Sequence, residues 1–228
     1  MGYLIAFDGI DASGKTTQAK ILEQRLRETS KKEILYLTFP VYDNESSGPV
    51  RLYLNGSMSK NPADVNAYAA SSFFAVDRYA SYMTGWKDFY DKNNTIIIAN
   101  RYTTANAVHQ LSKLPENEWN QFLNWLWDYE FTKLGIPKPD LTVLFDMHPD
   151  IAIKLIEERA KKTQVLKDIH EADPAHLRKS YKAGQYAAKY LGWEKIICYK
   201  KDSDGILVPK SEEEISEDLF ELVKKSYN

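Results

Sequence analysis

A single cysteine, Cys198, stands among 228 residues, and that excludes a disulfide framework within the chain. It lies in the run KIICY and reads as a small apolar strand residue, so a reducing compartment is expected. No stretch approaches the roughly 18 consecutive apolar residues of a membrane span. The opening MGYLIAFDG lacks the charged region and long apolar core of a signal peptide. Gly2 follows Met1, but Ala6 stands where myristoylation needs Ser or Thr. These absences lead us to expect a cytoplasmic protein with no membrane partner. Charge of one sign is missing too. The formal net charge is −2, which offers no field for a polymeric nucleic acid. Long linkers and internal repeats are absent, so residues 1–228 read as one domain with loops at 43–49, 92–95 and 162–168.

What is present is a hydrophobic complement of 43%, enough for a core, arranged in short runs. YLIAFD at 3–8, ILYLTF at 34–39, TIIIAN at 95–100, LTVLFD at 141–146 and KIICY at 195–199 are continuous rather than alternating. That is the pattern of parallel strands buried on both faces. Helical patterns separate them. Residues 15–29 carry Ala19, Leu22 and Leu26 at helix spacing, and aromatic-rich patterns cover 63–90 and 118–131. Further helices are expected over 149–162, 171–191 and 212–226. Strand–helix alternation of this kind predicts an α/β fold, in which ligands sit beyond the carboxyl ends of the strands. Asp8, Phe39, Asn100 and Asp146 end four of the runs.

FDGIDASGKTTQ contains Gly9 through Thr16 as a complete G-x-x-x-x-G-K-T loop between a strand and a helix. Its glycines let successive backbone N–H groups turn inward onto phosphate oxygens. Lys15 supplies charge to the β- and γ-phosphates of ATP, Thr16 offers a hydroxyl ligand to Mg²⁺, and the helix that follows adds its positive end. Gly9, Asp11, Ala12, Ser13, Gly14, Lys15, Thr16 and Thr17 make up this candidate nucleotide site. The Asn-Lys-x-Asp guanine motif of a GTPase switch is absent, and LTVLFDMHPD carries one acid at its strand end rather than the pair of a motor. A small-molecule kinase is left as the leading class. Phe74 and Arg78 lie at i and i+4 on one helix face. On spacing alone they read equally as a core ring beside a surface cation.

FDGIDASGKTTQ, FPVYDNESSGPVRLYLNG, SSFFAVDRYAS, NRYTTANAVHQ and PDLTVLFDMHPDIAIKLIEER occur in this order along nearly the whole chain. Together they resemble the thymidylate kinase family, which phosphorylates dTMP with ATP. The resemblance implies a three-layer P-loop fold, a five-stranded parallel sheet flanked by helices, with a mobile lid at about 159–171. It implies that Phe74 stacks on the thymine, Arg78 hydrogen-bonds its carbonyl, and Asn106 and Gln110 line the base. Arg101 would hold the acceptor phosphate, Asp11 would lie near the sugar 3′-hydroxyl, and Phe39 and Pro40 would border the acceptor site. Family members carry an arginine in the phosphate loop or in the lid. Here the loop position is Ala12, so Arg159 is the expected cation, with Lys161 and Lys162 as helpers and Asp168 and Glu171 after them. On its own, RAKK reads as a solvated helix end. The implied catalytic set is therefore Lys15, Asp11, Arg101 and Arg159. Adenine would meet residues near KDSDGILVPKS, and a homodimer is the family's usual state.

Four positions depart from that pattern. Asn100 stands where the family has aspartate, Tyr42 where it has an arginine for the acceptor phosphate, Ala105 where it has serine, and His109 where it has an aromatic near the ribose. Arg51 is the candidate replacement for the arginine lost at Tyr42. Two other readings stay open at this point. One is a deoxynucleoside kinase of the same fold; the other is a nucleotide-binding regulator with weak turnover.

Overall fold

A computed structural model describes residues 1–163 and 174–227, the side chains of Pro62, Lys162 and Thr163 excepted. Of the expected lid, residues 164–171 lie outside the described residues, and with them Asp168 and Glu171.

The five apolar runs form strands β1 (Tyr3–Asp8), β2 (Glu33–Thr38), β3 (Thr95–Asn100), β4 (Leu141–Asp146) and β5 (Glu194–Ile197). They pair in parallel in the order β2-β3-β1-β4-β5. All six residues of β3 are buried, as a strand covered on both faces requires. Ile5, Phe7, Ile96 and Ile98 point to one side of the sheet, where they pack on Ala19, Leu22 and Leu26 of helix α1 (Lys15–Thr29). Leu4, Ala6, Ile97 and Ala99 point to the other, against Tyr82, Trp86 and Tyr102. Each fully buried isoleucine there contributes about 1.5–3 kcal/mol. In register, Phe7 pairs with Asn100, so β1 and β3 run out of sheet at the same level.

The remaining helices are α2 (Gly48–Leu54), α3 (Ala67–Ser81), α4 (Lys87–Asp91), α5 (Thr103–His109), α6 (Trp119–Trp127), α7 (Pro149–Thr163), α8 (Pro174–Leu191) and α9 (Glu212–Tyr227). A small antiparallel hairpin, β6 (Tyr199–Lys201) with β7 (Leu207–Pro209), precedes α9. The aromatic helix expected over 63–90 starts at Ala67, because Asn66 caps it there: its Oδ1 accepts from the N–H groups of Tyr68 and Ala69. A π-helical turn at Tyr82–Trp86 then divides the pattern into α3 and α4. A second π-helical segment, Asp128–Lys133, extends α6. Cys198 is fully buried, and burial together with Asp146 pushes its thiol up to about 12. It is an inert core residue in the one-residue step between β5 and β6, not a strand residue as expected.

Candidate active site

The turn from β1 into α1 is the phosphate loop. Gly9 has φ 149°, and a Cβ there would come within 2.7 Å of the Phe145 carbonyl oxygen. Only glycine fits that approach. Ala12 is also left-handed, at φ 59°. Lys15 is buried, donates from Nζ to the Ile10 carbonyl at 3.2 Å, and lies 3.7 Å from Asp11 Oδ1. Ser13 is buried, and its Oγ has no partner among the described residues. Thr16 and Thr17 are exposed on the first turn of α1.

Arg101 follows β3 with φ 66°, a conformation that costs a non-glycine residue about 1–2 kcal/mol. Its backbone N–H donates to the Phe7 carbonyl at 2.9 Å, which ties the turn to β1. The side chain spans the loop and the next helix: Nη2 donates to Asp11 Oδ1, and Nη1 lies 2.8 Å from His109 Nε2. Guanidinium nitrogens only donate, so His109 Nε2 accepts and the ring is neutral in this arrangement. Burial alone would raise the Asp11 carboxyl. The Arg101 guanidinium and the Lys15 ammonium outweigh it and hold Asp11 well below the ordinary carboxylate range. For Asp8, fully buried behind the loop, burial prevails and the carboxyl is raised, although Gly9 N–H and Thr104 Oγ1 both donate to it.

Beside these groups opens a pocket, the concave setting expected of a small-molecule site. Asp11, Arg101 and His109 line it, as do Phe39, Pro40 and Tyr42 after β2, Phe74 and Arg78 of α3, and Ala105, Asn106 and Gln110 of the α5 region. The peptide between Phe39 and Pro40 is cis. Asp77 fixes this wall, accepting from the Val41 N–H at 2.9 Å and from Ser46 Oγ at 3.1 Å. Of the residues expected to bind the acceptor, Asn100 alone is not in the lining. Its Nδ2 donates to Thr16 Oγ1 at 3.1 Å, under the phosphate loop. Arg51 is not a lining residue either; its Nη1 donates to the carbonyl oxygens of Tyr42 and Asn44. Arg159 and Lys161 are exposed near the end of α7.

The sequence reading missed three contributors. Leu54 closes the wall from the end of α2. Asp77 is the acid inside FFAVDR. The third is Glu130, fully buried, which accepts from Arg78, Thr103 and Asn106. A signal for it exists: Phe122, Leu126 and Glu130 fall at i, i+4 and i+8, so an acid shares the core face of α6.

Among the described residues no group of three or more His, Cys, Asp or Glu is placed to hold a metal. Thr16 Oγ1 nonetheless suits Mg²⁺, and Asn100 beside it has a buried Oδ1 without a partner among the described residues. Such an oxygen set fits a hard cation whose other ligands are phosphate oxygens and water.

Comparison with known proteins gives a consistent result. A family model described as thymidylate kinase matches residues 7–197. The thymidylate kinase of Mycobacterium tuberculosis (strain H37Rv) is 29% identical over 181 residues, covering 78% of this chain and 77% of that protein. A probable thymidylate kinase of Methanosarcina acetivorans is 32% identical over 165 residues, covering 72% and 73%. Among solved structures, a thymidylate kinase from Candida albicans superposes with a TM-score of 0.68 at 19% identity, over 98% of this chain and 92% of that one.

Proposed function

Because the chain belongs to the thymidylate kinase family, its reaction is the phosphorylation of dTMP by ATP, and we propose how its residues divide that work. The phosphate loop holds ATP, with Lys15 on the β- and γ-phosphates. Thr16 ligands Mg²⁺, with Asn100 against its hydroxyl; when bound, the ion neutralises charge on the phosphates. The adenine lies toward the loop between β6 and β7. In the pocket, Phe74 stacks on the thymine while Arg78, Asn106 and Gln110 meet its edge. Phe39, Pro40, Tyr42 and His109 wall the sugar, and Asp11 lies beside its 3′-hydroxyl.

Arg101 holds the acceptor phosphate in line with the γ-phosphorus. An oxygen of that phosphate forms the new P–O bond as the bond from the γ-phosphorus to the β-bridging oxygen breaks, giving dTDP and ADP. No side chain has to remove a proton, because the attacking oxygen is already an anion. Arg159 is the cation assigned to the transferring group, in place of the arginine that Ala12 lacks. We also infer a cytoplasmic homodimer. Val76, Tyr79 and Met83 form an exposed apolar stripe along α3 and the turn after it, a surface suited to a second copy.

One observation carries the assignment of the acceptor. The pocket has a guanidinium at its phosphate-loop end, Arg101, and a ring with a second guanidinium at the other, Phe74 and Arg78. That polarity fits a nucleoside with a charged 5′ group better than an uncharged nucleoside. A coupled assay with ATP against dTMP, dUMP, dCMP and thymidine tests it. Turnover is expected to be highest on dTMP and absent in Lys15→Ala. Turnover of thymidine alone would overturn the assignment.

A further inference from the structure

Glu130 is fully buried, yet it is not an isolated acid. Its Oε2 accepts from Arg78 Nε and from Thr103 Oγ1, each at 2.7 Å. Its Oε1 accepts from Arg78 Nη2 and, at 3.4 Å, from Asn106 Nδ2. A carboxylate has about four acceptor positions, and all are taken. Removing two charges from water is a poor way to gain stability, since well-packed apolar side chains do as well. What the arrangement does supply is direction. Glu130 lies in the π-helical segment after α6, a local geometry that recurs at functional sites.

Two side chains of the pocket take their orientation from it. Arg78 spends Nε and Nη2 on Glu130, so Nη1, which makes neither contact, is the donor end available to the pocket that Arg78 lines. Asn106 donates from Nδ2 both to Glu130 and to the Ser71 carbonyl, at 3.3 Å. Two acceptors on one amide nitrogen leave only one sensible assignment of that amide, with Oδ1 as the unspent group. The base end of the pocket thus presents a donor from Arg78 and an acceptor from Asn106.

We propose that Glu130 is a positioning residue that fixes this donor–acceptor order and thereby selects the pyrimidine. A ring with a carbonyl oxygen beside an N–H, as in thymine and uracil, matches the order. Cytosine presents an amine beside a bare ring nitrogen, the reverse. The carboxylate matters because it can only accept. An amide at position 130 would bring a donor, drive the Asn106 amide to turn over, and offer N–H where thymine also offers N–H. The proposal rests on the assignment of this pocket to dTMP.

The test is Glu130→Gln, with kcat and KM measured for dTMP, dUMP, dCMP and ATP beside a thermal melt. The KM for dTMP is expected to rise about tenfold or more, and the preference for dTMP over dCMP to shrink by a similar factor. The ratio of dTMP to dUMP, which share the same edge, stays fixed, and the KM for ATP stays within about twofold. A folded Glu130→Gln that keeps its dTMP:dCMP ratio, or loses all three pyrimidines equally, would overturn the proposal. Should that variant not fold, Thr103→Val removes one hydrogen bond on Oε2 and leaves the ion pair. It should raise the KM for dTMP about threefold without affecting ATP, and an unchanged KM for dTMP would count against Glu130. If the unmodified chain fails to turn over dTMP at all, the assignment of the pocket falls, and this inference with it.

Discussion

Arg101 and Asp11 form an ion pair that joins the end of β3 to the middle of the phosphate loop. The guanidinium is half-buried, and it lines the pocket beside the phosphate loop. Under the proposed assignment, an acceptor phosphate therefore meets a cation with little freedom left to lose. Arg101→Ala should lower kcat/KM for dTMP by at least about 100-fold, the scale of a truncated buried charge contact. Arg101→Lys should recover little of this, because an ammonium cannot serve Asp11, His109 and a phosphate from one plane. Steady-state kinetics with dTMP varied at saturating ATP measures both.

Arg78→Ala is expected to impair more than base recognition. It strands the Glu130 carboxylate in the core without its counter-ion, which costs about 3–5 kcal/mol. At this chain length each kcal/mol is worth roughly 2–4 °C, so a melt should fall by about 10 °C. The double variant Arg78→Met with Glu130→Met should regain most of that loss while still failing to bind dTMP. A single Arg78→Ala that melts like the unmodified chain would contradict this.

Asn100→Asp changes what Thr16 meets. The amide now donates to the Thr16 hydroxyl oxygen; a carboxylate would instead accept its proton and place a negative charge next to the proposed metal. The Mg²⁺ concentration giving half-maximal rate should fall about tenfold, a modest fraction of what one charge at close range can supply. A titration of rate against Mg²⁺ at fixed ATP reads this directly. No change would mean that a different carboxylate already does this work.

Lys113 should leave a mark on stability at alkaline pH. Its Nζ donates to Tyr53 Oη at 2.7 Å and to the Val65 carbonyl at 3.2 Å, and burial lowers it to about 8. The unfolded value is about 10.4. Between those two values the unfolded chain holds a proton that the folded chain has released, so this residue makes stability rise with pH across that window. Below it the full penalty of a buried ammonium persists. The advantage in melting temperature of Lys113→Met over the unmodified chain should thus be largest near neutral pH and shrink toward pH 10.

What could be read from the sequence was whatever is local. The phosphate loop is eight consecutive residues with a fixed job, and the strands are apolar runs too continuous for any other use. The proposed acceptor pocket became legible through the family resemblance, since it draws Phe74, Arg101 and Gln110 from separate segments of the chain. Glu130 was missed because its meaning depends on Arg78, fifty-two positions away, and on Thr103 and Asn106 from a third helix. Helix α2 begins inside the expected break at 43–49, because Gly48 and Pro49 open the helix, with proline in its first turn where no N–H is needed. The start of α3 was placed too early because Asn66, four residues into the expected pattern, acts as its cap.

The pairing of Phe7 with Asn100 has a consequence for how this chain can change length. The gap between the phosphate loop and Arg101, the proposed acceptor ligand, is one strand spacing, about 4.8 Å, set by backbone hydrogen bonds rather than by rotamers. Insertions between Asn55 and Val65 would lengthen an exposed loop and leave that gap alone. One residue gained or lost inside Thr95–Asn100 would turn the guanidinium to the opposite face of the sheet, and the two substrates would no longer share a line of transfer. Along this chain, tolerance to insertion and deletion should drop to nothing at β3 well before it does in the helices around it.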